Sequence, residues 1–152
     1  MEIDKIDRMI LNLLQQDAKL SNKQVAERVN KSVTPVYERI KKMEQSGLIK
    51  RYVTMLNNRH IDKTLVAFTT VQLKEHEHGM LKRFEKEIVK SSEVMECYHM
   101  TGTDDYMLKV LVKDMDEYQD FIVNRLAKLT NIGTVRSSFV MTEIKHETSF
   151  EL

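Results

Sequence analysis

The chain has 152 residues, 41% of them hydrophobic and 31% charged, a balance that fits a folded globular protein and argues against disorder. No apolar run approaches the roughly 18 residues that cross a bilayer, and the N-terminus MEIDKIDRMI mixes charges with aliphatics, unlike a signal or transit peptide, so no membrane partner is expected. Cys97 is the only cysteine, which excludes an intrachain disulfide and any zinc site needing two thiolates, and makes a cytoplasmic location the expectation.

The net charge of +1 hides a division along the chain. Residues 1–60 carry 12 Lys+Arg against 7 Asp+Glu, whereas residues 61–152 carry 12 against 16. A polyanion partner is therefore expected for the first part only. Ile3, Ile6, Ile10, Leu13 and Leu14 recur at helical spacing, so a helix is predicted over residues 4–16 with Asp4 as N-cap. Ser21-Asn22-Lys23-Gln24 has the capping-box form and opens a short helix with Val25, Ala26 and Val29 inward. Asn30 suits the left-handed residue that ends it. Ser32 can cap a third helix, with Pro35 in its first turn, Val36, Ile40 and Met43 buried, and Val33 and Tyr37 at the margins. Gly47 is placed to end that helix, and Leu48–Tyr52 is predicted as a short strand. Three helices with a tight turn between the last two have helix-turn-helix geometry.

Residues 53–63 lose periodicity and are predicted to be a linker between a first domain, 1–52, and a second, 64–152. Beyond it the period changes to two. Thr64–Lys74 is predicted as a strand, followed by a helix starting near Gly79 and carrying Leu81, Phe84, Ile88 and Val89. Val94–Thr101 and Asp105–Lys113 are predicted strands around a turn at Gly102-Thr103-Asp104. Met115 to Leu129 mark another helix, and Gly133 precedes a last strand over Val135–His146. The order βαββαβ predicts a ferredoxin-like α+β domain. Its strands are apolar in both registers (Tyr106, Leu108 and Val110 against Met107 and Leu111), so one sheet face is left for self-association.

The segment SVTPVYERIKKMEQSGLIKRY, followed by a βαββαβ domain with TGTDDYMLKV at its central hairpin, resembles the Lrp/AsnC family of transcriptional regulators. The resemblance covers Asp4 to about Lys145. It implies a winged helix-turn-helix head and a C-terminal domain that dimerises and binds a small-molecule effector, commonly an amino acid, between dimers. It also implies homodimers that assemble further, often into octamers.

The outward face of the third helix presents Thr34, Pro35, Glu38, Arg39, Lys41 and Lys42. Ser32 and Thr34 offer short hydroxyls for phosphates or base edges of double-stranded DNA, and the cations displace counterions. Arg39, typical of the family at this place, can read a base, clamp a phosphate, or pair internally with Glu27 or Glu44. Lys50 and Arg51 are expected on flanking backbone. The Gly102-Thr103-Asp104-Asp105 turn is a hairpin turn by composition. The resemblance adds an effector site there, with backbone groups for a carboxylate, Asp104 or Asp105 for an ammonium, and hydroxyls from Thr134 and Ser137. His76 with His78, and Cys97 with His99, are each two ligands at most, so no metal or other cofactor is expected. No phosphate loop, nucleophile elbow or paired-carboxylate spacing points to an enzyme. The alternative expectation is an oligomeric metabolite-binding module whose N-terminal part contacts protein rather than DNA.

Overall fold

The computed structural model describes residues 2–152 and divides the chain into two units, Met1–Met55 with Ile144–Leu152, and Leu56–Glu143. In the first, α1 (Lys5–Gln16) begins at Asp4. The Asp7 amide donates to the Asp4 carboxylate at 2.8 Å, and the Asp4 amide donates to the Asp7 carboxylate at 3.1 Å. This reciprocal pair satisfies amides that a helix start leaves without partners. α2 (Asn22–Arg28) opens with the same device built from Ser21 and Gln24. Asn30 leaves it with φ 53°. α3 (Val33–Gln45) follows Ser32, which occupies the N-cap without a side-chain cap bond, and ends before Gly47 at φ 75°. Ile10, Leu11, Val25, Ala26, Val29, Val36, Ile40 and Met43 fuse the three helices into one buried core.

The strand predicted at Leu48–Tyr52 is not formed. Ile49 is tied back, its amide donating to the Met43 carbonyl at 3.1 Å and its side chain packing on the head core. Beyond it Tyr52, Val53, Met55 and Leu56 run exposed and without regular structure. A strand exists only as part of a ladder, and among the described residues this unit holds no second strand to pair with it.

The second unit opens with a 3₁₀ turn at Asn58–His60 and then follows the order β1 (Leu65–Leu73), α4 (His78–Ile88), β2 (Val94–His99), β3 (Tyr106–Val112), α5 (Met115–Asp120) and β4 (Ile132–Phe139). α5 runs on through a π-helical turn, Phe121–Arg125, and a 3₁₀ turn, Leu126–Lys128. The sheet order is β2-β3-β1-β4, antiparallel throughout. Tyr106, Leu108, Val110 and Val112 alternate inward on β3 and pack with Ala67, Val71, Phe84, Ile88, Phe121 and Leu126 under the helices.

The last strand differs from its predicted limits of Val135–His146. It starts earlier, so Gly133 lies inside it at a register shift opposite Gln72 and Leu73. A Cβ on Gly133 would stand 2.8 Å from the Gln72 carbonyl oxygen, a close approach only glycine permits. It ends sooner because its one neighbour runs out: Phe139 pairs with Ala67, and a final rung joins the Val140 amide to the Val66 carbonyl at the start of β1. Residues 144–152, expected with the second domain, pack on the first unit instead.

Candidate functional site

The exposed side of α3 carries Thr34, Pro35, Glu38, Lys41 and Lys42, because Val36, Ile40 and Met43 claim the inner side at helical spacing. Ser32 is exposed at the helix start, and Lys50 and Arg51 are exposed beyond its end. Tyr37 also stands on this surface, 43% exposed, with the Lys41 ammonium 5.7 Å above its ring. The sequence pattern leaves Tyr37 at the margin of the core; the signal for its exposure is its place one residue after buried Val36 and four before Lys41.

Arg39 points elsewhere. Its Nη1 donates to Asp4 at 2.6 Å and to Asp7 at 2.8 Å, joining α3 to the first turn of α1. The partners suggested by the sequence, Glu27 and Glu44, do not receive it; Glu44 instead accepts from the Tyr52 hydroxyl at 2.8 Å. Burial and that carboxylate push the Tyr52 phenol up to about 12. The Asp4 carboxyl is held below its ordinary value, first by the Asp7 amide and then by Arg39. Apart from Arg39, every lysine and arginine of residues 2–55 lacks an ion-pair partner among the described residues. In the second unit Lys63, Lys82, Lys90, Lys109, Arg125 and Arg136 meet carboxylates, while Lys74, Arg83, Lys86, Lys113 and Lys128 do not among the described residues. Unpaired cations gathered on one small unit are what a polyanion surface requires.

At the hairpin after β2, Gly102 takes φ 127° and Gly102 and Thr103 are exposed. The two aspartates have separate duties. Asp105 accepts from the Leu73 amide at 2.7 Å and meets His76 Nε2 at 3.0 Å, pinning the end of β1 and the loop that follows. Asp104 faces Arg136 of β4 at 2.6 Å. Thr134 and Ser137 lie on opposite faces of β4, being three residues apart on a strand. Thr134 shares the helix-free face with Arg136. Ser137 turns to the helices and accepts from the Tyr118 hydroxyl, which also bonds buried Thr69 at 2.7 Å. The structure therefore gathers Gly102, Thr103 and Asp104 with Arg136 and does not bring Ser137 to them. Arg136 has no signal in the sequence: its partner is 32 residues away, and only the pairing of β1 with both β3 and β4 brings it to the turn before β3.

Cys97 and His99 share the helix side of β2, where His99 stacks on Tyr106 with ring centroids 4.8 Å apart. Burial, with Glu85 adding to it, raises the Cys97 thiol above its ordinary value, so it is a packed thiol rather than a reactive one. Among the described residues no group of three or more His, Cys, Asp or Glu could hold a metal ion, and no helix is long and apolar enough to cross a membrane.

Residues 3–50 match the model for the winged helix-turn-helix DNA-binding family, and residues 66–150 match that of the Lrp/AsnC ligand binding domain. The chain is 35% identical over 144 residues to the leucine-responsive regulatory protein of Escherichia coli (strain K12), covering 95% of this chain and 88% of that one. Among solved structures it is similar to a transcriptional regulator of Neisseria meningitidis in complex with L-Met, at 32% identity and TM-score 0.93, covering 98% of this chain and 96% of that chain. It is also similar to an AsnC family transcriptional regulator from Agrobacterium tumefaciens, at 36% identity and TM-score 0.92, covering 97% of this chain and 96% of that chain.

Proposed function

Since the chain belongs to the Lrp/AsnC family of transcriptional regulators, we propose that residues 1–52 bind operator DNA through the outer side of α3 and that residues 64–143 bind an amino acid and assemble the protein, with 53–63 as linker. The observation that carries the first half is that, among the described residues, all the cations of residues 2–55 but Arg39 are free of ion pairs and gather on one small unit, with Lys41, Lys42, Lys50 and Arg51 exposed on or just after α3. Ser32, Thr34, Pro35, Tyr37 and Glu38 face the groove, Lys41, Lys42, Lys50 and Arg51 meet phosphates, and Arg39 acts as a strut that fixes the angle of α3 on α1. This division works in the cytoplasm, where the chromosome of a bacterium or archaeon lies.

For the second half, the Asp104–Arg136 pair presents one charge of each sign beside the exposed Gly102 turn. A zwitterion can replace the pair by giving its ammonium to Asp104 and its carboxylate to Arg136, while the side chain selects the ligand. Thr134 borders this place; Asp105 supports it from behind. The L-Met held by the Neisseria relative supports an amino acid as the ligand class.

The helix-free face of the sheet supports assembly. Val66, Phe68, Tyr98, Met107 and Leu111 form a largely apolar band there, with Phe68 38% and Tyr98 50% exposed, which the Lys109–Glu96 pair interrupts, Lys109 standing between Met107 and Leu111 and opposite Phe68. A second copy laid face to face covers that band, places two heads on one DNA, and sets the Gly102 turns at the rim between subunits. A homodimer that associates further, up to the octamer common in the family, follows from repeating such contacts.

Replacing Lys41 and Lys42 by alanine tests the DNA assignment, because both are exposed and neither supports the core. Operator affinity should fall, and the slope of log Kd against log salt should become shallower by about 0.9 for each phosphate no longer neutralised. Unchanged affinity and slope, measured by fluorescence anisotropy with a labelled duplex, would reject this face of α3. A chain that binds amino acids while shifting no genomic fragment would favour the metabolite-binding alternative.

A further inference from the structure

Residues 144–152 leave the sheet unit and dock on α1 of the head. The Gln15 carboxamide grips the backbone of Phe150 at both ends: its Nε2 donates to the Phe150 carbonyl at 3.0 Å, and the Phe150 amide donates to its Oε1 at 3.1 Å. One turn earlier on the same helix, Asn12 accepts from the Leu152 amide at 3.2 Å, and the Leu152 side chain packs against the head core. A carboxamide bonded to both the N–H and the C=O of one residue imitates a neighbouring strand, so it reads extended backbone and leaves the choice of side chain to the apolar contact. The same device recurs in the sheet unit, where Asn131 holds the backbone of Glu75 at 2.8 and 2.7 Å.

The chain thus passes between its two units twice, after Met55 and after Glu143, and the second passage is closed on the head by non-covalent contacts alone. Those contacts are few and largely solvated, with Phe150 itself 69% exposed. They hold because the tail is already nearby: roughly ten residues separate the end of β4 from Phe150, and a tether of that length gives an effective concentration in the millimolar range. Contacts this weak can also let go.

We propose that residues 144–152 are a detachable strap. Docked on Asn12 and Gln15, the strap gives the DNA-binding head a second tether to β4 and restricts the positions open to it; undocked, it leaves the head on the linker alone. The strap is the direct continuation of the strand that carries Arg136, so any ligand that shifts β4 pulls on the head through it.

The test uses the full chain and no effector. Asn12→Ala with Gln15→Ala removes the clamp at half-buried positions where alanine favours the helix, so the head stays folded. Leu152→Glu expels the tail without touching α1. In both, hydrogen exchange at the Phe150 and Leu152 amides should rise about tenfold or more. A dye on Lys31→Cys, in a Cys97→Ser background, should gain amplitude in the fast segmental component of its anisotropy decay. Unprotected Phe150 and Leu152 amides in the unaltered chain would overturn the docking. Tail release in both variants with no change in head motion would overturn the strap.

Discussion

Replacing Arg39 by alanine separates a strut from a DNA contact. Arg39 is 38% exposed and spans to Asp7, only 8% exposed, and to Asp4, which is half in solvent. Removing it leaves the Asp7 carboxylate in a nearly dry place with the Asp4 amide as its remaining donor. A hydrogen bond to a desolvated charge contributes about 1.5–3 kcal/mol, and an exposed ion pair about 0–1 kcal/mol. The Arg39–Asp7 contact lies between these, so the head should lose about 1–2 kcal/mol. For a unit of this size that lowers its midpoint by roughly 4–15 °C. Thermal unfolding followed through amide exchange in α1 and α3 reads this loss directly, and Arg39→Lys, which keeps charge but not the bridging geometry, should fall between.

The effect has a pH signature. The Asp4 carboxyl is depressed in the folded head, so its contribution is present above the ordinary value of 3.8 and lost as pH falls through the lower folded value. Arg39 is the second cause of that depression. The gap between the unaltered protein and Arg39→Ala should therefore be full near neutrality and narrow below about pH 4. Equal unfolding of the two proteins together with abolished operator binding would refute the strut and make Arg39 a direct DNA contact.

Other substitutions address the second unit. Gly133→Ala forces a methyl group onto the Gln72 carbonyl and should destabilise the sheet unit by about 1–3 kcal/mol in urea titration, with the head transition unmoved. Phe68→Glu buries a charge in the proposed face-to-face contact, and sedimentation should show monomers where the unaltered chain sediments as a dimer or larger. With L-methionine as the calorimetric probe, Asp104→Ala should weaken binding while leaving the unfolding midpoint unchanged. Asp105→Ala, which orphans the Leu73 amide, should lower that midpoint as well.

Local chemistry was legible in the sequence wherever a short segment decides its own conformation. The Ser21–Gln24 box, Asn30, Pro35 and Gly47 each carry a backbone instruction that no distant residue can countermand, and all four stand where the pattern puts them. The strand itself was equally readable on β3, but with both registers apolar the side that meets the helices, Tyr106, Leu108, Val110 and Val112, was settled only by the fold. What depends on residues far apart was not readable. Arg39 chose Asp4 and Asp7, the latter 32 residues earlier in the chain, Arg136 met Asp104, and Ser137 was taken by Tyr118 and Thr69. Strand ends failed for a related reason: apolar, β-branched sequence continues past Phe139, but β1 begins at Leu65 and adds only the Val140–Val66 rung. The strand predicted after Gly47 lacked a partner altogether.

The cations that α1, α2 and α3 leave unpaired give the head two opposite answers to ionic strength. Without DNA they repel one another, and added salt screens that repulsion and firms the free head. With DNA the same ions compete for the phosphates and loosen the complex. Operator DNA then acts as a folding ligand: at a hundredfold excess over its Kd it adds about 2.7 kcal/mol to the head, an excess reached with the least DNA in dilute salt, where the unbound head is weakest.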